Sequence, residues 1–267
     1  MQTLPNTSEP WLLASYLPVS LFTLKSALAT SSGGKTLLVP TPYAIKMALL
    51  DAAIRGQGVQ RGERLFPLLR DLRVALLVPE RLVVQNSFGK VRRLFESKES
   101  GEKKDAAYAR ARLGRAFPFA PTIAYREYVQ FGGPLKLAFA TGSSGAAVEG
   151  FGLEEVRALL PCINYLGRRG GFIQLAQPPA YAAELPEGYC VLTNAVASDY
   201  GDNWTLQMLD DCAPSLTFAQ ANIYTADKIT LGKQRVLRHV PLPLRLTRSS
   251  RSFSLYTRVD MPEEAAQ

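Results

Sequence analysis

Between Pro40 and Gly56 the chain carries the start, the buried face and the end of one helix. Thr41 can accept a backbone N–H as N-cap. Pro42 suits the first turn, where its missing N–H is not needed, and Gly56 can end the helix. Ile45, Ala48, Leu49 and Ala52 fall at i, i+3, i+4 and i+7. That spacing makes one apolar stripe, which must be covered by a sheet or another helix. Lys46 and Arg55 are read as lying off the stripe.

The rest of the N-terminal two thirds supplies strands for this helix to cover. Trp11 to Leu24 is apolar, β-branched and aromatic, and reads as a first strand. Leu72 to Val78 and Leu82 to Phe88 are short strands around the turn Pro79-Glu80-Arg81. Tyr125 to Ala140 holds two alternating runs around Gly132-Gly133-Pro134, a hairpin or a bent strand. Glu154 to Tyr165 is a second amphipathic helix, shortened or kinked by Pro161. The turn Leu166 to Gly171 then leads into a strand from Phe172 to Leu175. With one hairpin treated as an elaboration, the order is β-α-β-β-α-β, the ferredoxin-like topology that RRM domains use. The expected fold is therefore α+β. A ferredoxin-like, RRM-like domain spans residues 1–176, with a protruding basic arm at about 89–118. A β-rich C-terminal subdomain with a basic tail spans 177–267.

The chain has 267 residues, 47% of them apolar, enough to bury a sizeable core. Its net charge of +8 favours an anionic partner. The charge is concentrated in two places. Lys90 to Arg115 holds nine Lys/Arg, and the acids Glu96, Glu99, Glu102 and Asp105 are confined to its middle. A two-stranded arm with a basic stem fits this pattern, and its polar middle (SKESGEKKDAA) reads as a mobile turn. The second concentration is Lys228 to Arg258, with eight Lys/Arg and no acid. Three widely spaced cysteines, Cys162, Cys190 and Cys212, fit neither a disulfide framework nor a zinc site, and buried free thiols are expected. No basic n-region and no apolar run long enough to cross a membrane is present, so a soluble, cytoplasmic chain is expected.

Motifs with chemical meaning are few. Ser32-Gly33-Gly34-Lys35-Thr36 ends like a phosphate-binding P-loop, but Ala29 stands where a glycine is needed and Pro40-Thr41-Pro42 delays the helix. A flexible loop is the better reading. Arg168 and Arg169 stand among glycines that let backbone approach a phosphate closely, a feature suited to anion or RNA contact. His239, the single histidine, has no acid nearby in sequence to orient it. Asp199, Asp202, Asp210 and Asp211 form the densest carboxylate group, and read as a surface loop rather than a metal site. No catalytic residue, metal or cofactor is expected.

Four segments together resemble the CRISPR-associated Cas-five proteins, RNA binders of the RAMP superfamily. Val39 to Ala53 (VPTPYAIKMALLDAA) is similar to that family's proline-rich start to its first helix. Val84-Gln85-Asn86-Ser87-Phe88 resembles the strand that leads into its thumb. Phe119 to Tyr128 (FAPTIAYREY) resembles the return from the thumb, and Tyr165 to Phe172 the glycine-rich turn. They cover about residues 11 to 176; the C-terminal third matches nothing in the family pattern. The resemblance implies a non-catalytic subunit of a type I Cascade complex that grips the 5′ handle of the crRNA. Its thumb, here Lys90 to Arg115, reaches toward an adjacent Cas-seven backbone subunit. The Cascade large subunit, of Cas-eight type, is a further implied partner, and target DNA is met through the complex. Antiviral defence is the implied setting, with no membrane partner.

On this reading Lys90, Arg92, Arg93, Arg110, Arg112 and Arg115 contact phosphates from the thumb. Arg168 and Arg169 do so from the glycine-rich turn. Tyr43 and Lys46 flank the handle at the start of the first helix, and Asn86 stands at the root of the thumb. Aromatic Phe88, Phe95 and Tyr125 interleave with these cations, as splayed single-stranded RNA requires. Tyr125-Arg126 is open to a second, structural reading, with Arg126 paired to an acid. Two alternative functions stay open: a RAMP-type endoribonuclease processing precursor crRNA, and a protein-interaction or DNA-binding module outside CRISPR biology.

Overall fold

The computed structural model describes residues 10–28, 34–114, 116–142, 151–193 and 203–259. Ser32, Gly33, Arg115, Asp199 and Asp202 lie outside the described residues. In chain order the N-terminal elements are β1 (Trp11–Pro18), α1 (Pro42–Gln57), α2 (Val59–Asp71) and β2 (Arg73–Leu77). There follow β3 (Arg81–Leu94), α3 (Glu102–Leu113), β4 (Phe119–Phe131), β5 (Leu135–Ala140), α4 (Leu153–Leu159) and β6 (Ile173–Leu175). The C-terminal elements are β7 (Ala180–Ala182), β8 (Cys190–Val191), β9 (Thr205–Cys212), α5 (Phe218–Ala221), β10 (Arg235–Leu242), β11 (Leu244–Ser249) and β12 (Phe253–Arg258).

The first sheet runs β6-β1-β5-β2-β8, with β7 also on β1, and every pairing is antiparallel. Alternate residues of β1 go to opposite sides. Leu12, Ala14 and Tyr16 enter the main core, while Trp11 joins Ala75, Ala138 and Ala140 in a smaller cluster. The helices complete the main core with Ile45, Leu49, Leu65, Leu69, Val156 and Leu160. Fully burying one such side chain contributes roughly 1.5–3 kcal/mol.

Thr41 caps α1 as expected, its Oγ1 accepting the N–H of Ala44 at 3.1 Å. Helix α2 has no counterpart in the sequence reading. Gly58, Gly62 and Pro67 break its pattern, yet Leu65, Phe66, Leu68 and Leu69 are buried. Their burial outweighs the roughly 3 kcal/mol that an interior proline costs. The expected strand from Trp11 to Leu24 stops at Pro18. Beyond it Phe22 exchanges backbone hydrogen bonds with Val129 (2.9 and 2.7 Å) and packs edge-on to Phe131. The second amphipathic helix is short, as Pro161 foretold, and ends in a 3-10 turn, Leu160–Cys162.

The second sheet runs β11-β12-β3-β4, and β9 with β10 forms a separate ribbon packed on α1. The runs flanking Gly132-Gly133-Pro134 are thus a bent strand rather than a hairpin: β4 lies in the second sheet and β5 in the first. The turn at Pro79-Glu80 makes the same crossing in reverse, so β3, α3 and β4 are one excursion between β2 and β5. The C-terminal residues complete both sheets through β7, β8, β11 and β12, and Leu209, Val240 and Leu242 enter the main core.

Two expectations about side chains need correction. Asp210 and Asp211 are not in a surface loop; both are buried on β9. Cys162 is exposed on the 3-10 turn, while Cys190 is half-buried and Cys212 is buried. No helix among the described residues is long and apolar enough to cross a membrane.

Candidate nucleic-acid interface

Pairing of β3 with β4 runs from Leu82 opposite Phe131 to Leu94 opposite Phe119. Strand β12 flanks β3 only as far as Gln85. From Ser87 outward the pair therefore leaves the sheet as a two-stranded arm. At about 3.4 Å per residue its end lies roughly 25 Å from the sheet. The alternation places Phe88, Lys90 and Arg92 on one face of β3 and Arg93 on the other. Lys90, Arg92 and Arg93 are all exposed.

The tip is a helix, α3, where a mobile turn is expected from composition. Glu102 and Asp105 occupy its first turn and Arg110 and Arg112 its last, so the charge order that read as a mixed turn complements the helix dipole. Tyr108 anchors the helix between Phe95 (5.2 Å between ring centres) and Phe117 (5.9 Å). Arg112 lies 5.0 Å over the Phe117 ring. Arg110 and Arg112 are exposed at this tip, remote in the chain from the arm's root.

The glycine-rich turn folds back on itself: the N–H of Leu166 donates to Gly171 O (3.0 Å) and that of Gly171 to Arg168 O (3.1 Å). Gly167 and Gly170, at φ 73° and 113°, hold the left-handed conformations this closure needs. Arg168 and Arg169 between them point outward and are exposed.

The arm and this turn face each other across a cleft of about 140 Å³. Lys25, Lys35, Arg93, Arg126 and Arg168 line it, and no carboxylate among the described residues does. Five cations around one small cleft attract an anion strongly, and guanidinium groups bind phosphate by paired, charge-assisted hydrogen bonds. Arg126 makes no ion pair with any described residue; Glu127 accepts from Tyr125 Oη (2.8 Å) and the Thr36 N–H (2.9 Å). Desolvation, followed by that carboxylate contact, raises the Tyr125 phenol above its ordinary pKa.

A larger cleft of about 420 Å³ adjoins the first and shares Thr23, Lys25 and Arg168 with it. Tyr43, at the start of α1, lies in its wall under the guanidinium of Arg235, 4.2 Å from the ring centre. Burial raises the Tyr43 phenol pKa, which Arg235 offsets in part.

Of the residues expected at RNA, the structure therefore brings Tyr43, Arg93 and Arg168 to one surface. Arg169 neighbours it, and Lys90, Arg92, Arg110 and Arg112 extend along the arm. Lys46 does not belong there: it is 2% exposed, bonded to Asp211 (2.7 Å) and to Arg70 O (2.8 Å). It sits one residue after Ile45 but reaches into the gap between α1 and β9. Asn86 is tied into the sheet, donating from Nδ2 to Arg251 O and accepting from Tyr125 Oη. Of the other cations here, Lys25 carries no mark in the sequence, while Lys35, Arg126 and Arg235 lie in the P-loop-like run, the Tyr125-Arg126 pair and the basic tail. Among the described residues no group of three or more His, Cys, Asp or Glu could hold a metal ion.

No family model matches the chain. It is 30% identical over 116 residues to the CRISPR-associated protein Cas5 of Archaeoglobus fulgidus, a stretch covering 43% of this chain and 44% of that protein. The chain thus matches less than half the length of that relative. A crystal structure of a CRISPR protein from Archaeoglobus fulgidus overlays with TM-score 0.43 at 11% identity, covering 94% of this chain and 92% of that one. A chain of a CRISPR RNA-guided surveillance complex overlays with TM-score 0.40 at 16% identity, covering 87% and 90%. Both overlays are too loose to carry an argument, and the likeness rests on the shared sequence: over those 116 residues the chain is similar to a Cas5 CRISPR-associated protein.

Proposed function

We propose that this protein is a non-catalytic RNA-binding subunit of a Cascade-type complex, holding the 5′ handle of the crRNA. The observation that carries the reading is the acid-free cleft in which Arg93 of the arm and Arg168 of the glycine-rich turn meet Lys25, Lys35 and Arg126. Single-stranded RNA is bound by such cationic grooves with aromatic platforms alongside, and Phe88 and Tyr125 supply the platform, 4.9 Å apart. Strand order β6-β1-β5-β2 along the path β1-α1-β2-β5-α4-β6 supports a ferredoxin-like body of RRM type. The β3–β4 pair with α3 would then be the thumb, extending Lys90, Arg92, Arg110 and Arg112 toward a backbone subunit. The large subunit and, through the complex, target DNA are the remaining partners on this reading. His239 is exposed on β10 opposite Met208 and lines neither cleft, which favours a binding role over RNA cleavage.

Co-expression with the neighbouring genes, affinity purification and sequencing of bound RNA tests this reading. Discrete guide RNAs with a common repeat-derived 5′ end are the expected result. Random cellular fragments, or none, would overturn it. Metal-independent cleavage of the repeat by the isolated chain, lost in His239→Ala, would replace it with the processing-enzyme reading.

A further inference from the structure

The larger cleft is built by two parts of the chain that the cationic groove alone does not need. One wall is the first turns of α1, with Tyr43, Ala44 and Met47; the other is the C-terminal ribbon, with Asp210 and Arg235. Arg235 is held from two sides. Its Nε donates to Asp210 Oδ2 at 2.5 Å, and its guanidinium plane lies on Tyr43. Asp210 is 1% exposed, so this anchor is rigid, while the Arg235 side chain keeps 30% of its surface open. The outer face of the guanidinium and the apolar wall of Ala44 and Met47 are thus presented together in one concavity. Its volume of about 420 Å³ is within the roughly 300–1,000 Å³ of small-ligand sites.

We infer that this cleft takes one unstacked nucleotide of the strand bound in the groove, its base packed between Met47 and the Arg235 guanidinium and its phosphate at Arg168. The inference rests on the RNA-binding reading above. A free metabolite is the weaker fit because the cleft opens directly into the groove through Thr23, Lys25 and Arg168, so a ligand inside it is continuous with an anion outside. Planar guanidinium and thioether groups suit the face of a base. On this reading the C-terminal ribbon has a task of its own: Asp210 is a positioning residue and Arg235 a ligand contact.

The test uses the RNA that copurifies with the assembled complex, resynthesised with one abasic nucleotide at each position in turn. One position is expected at which base removal weakens binding about tenfold, within the range that single stacked bases contribute. Ala44→Leu, which adds bulk to the cleft but keeps a strong helix former, should lower affinity for intact RNA to the abasic level and leave the abasic RNA unaffected. Arg235→Lys, which keeps the charge and loses the plane, should do the same in part. RNA binding with no base position coupled to either variant would overturn the cleft assignment and leave the groove standing. Absence of any bound RNA would overturn both.

Discussion

Lys46 Nζ lies 2.7 Å from Asp211 Oδ1, with both residues almost wholly out of solvent. The second oxygen, Oδ2, accepts from Arg238 Nε at 2.9 Å. This pair joins the first helix to the C-terminal ribbon, 165 residues apart in the chain. Removing one partner of a buried pair typically costs about 3–5 kcal/mol when the other charge is left alone; Asp211 keeps Arg238, so the cost here falls toward the lower end. Lys46→Met should lower stability by that order in urea unfolding. It should not change the salt dependence of RNA affinity, which would separate this lysine from the groove.

Groove cations behave differently. Arg93→Ala and Arg168→Ala should each reduce the slope of log affinity against log salt by about 0.7, the value for one phosphate of a single strand. Their urea midpoints should match the parent protein, since both side chains are exposed. Unchanged slopes in both variants would remove the groove from the interface.

Tyr108 fastens the arm's tip through two aromatic contacts, to Phe95 and Phe117. Each such pair contributes about 0.5–1.5 kcal/mol. Tyr108→Ala should therefore raise amide hydrogen exchange throughout α3 while the main unfolding transition stays in place. Uniform loss of protection across the first sheet would show instead that the tip and body unfold together.

Burial pushes the Cys212 thiol up to about 12 and the Cys190 thiol to about 11, from an ordinary thiol value of 9. A raised folded-state pKa means that the folded protein holds its proton where the unfolded chain releases it. The resulting stability is complete below about pH 9 and is lost as pH rises toward 11 to 12. Denaturant midpoints in reducing buffer should fall across that window, and Cys212→Ala should make the fall shallower. At neutral pH a thiol reagent should label the exposed Cys162 well before Cys190 or Cys212.

Helix α1 was legible because Thr41, Pro42 and the stripe from Ile45 to Ala52 are local signals. The same holds for the strands, the truncation at Pro161 and the basic stem of the arm. Periodicity and capping act within a few residues, so sequence alone determined these elements and the cationic character of Lys90 to Arg93. Helix α2 was hidden because tertiary burial of Leu65, Phe66, Leu68 and Leu69 overrides its glycines and proline. Helix α3 was hidden because aromatic contacts and charge order, not hydrophobic pattern, hold it. Lys46 and Arg93 show the deeper limit. Both are cations beside apolar residues in the chain, and only the packing of β9 against α1 buries one while the arm leaves the other in the groove. Which charges face an anion is decided by contacts among residues far apart in sequence, so that part was settled by the tertiary structure.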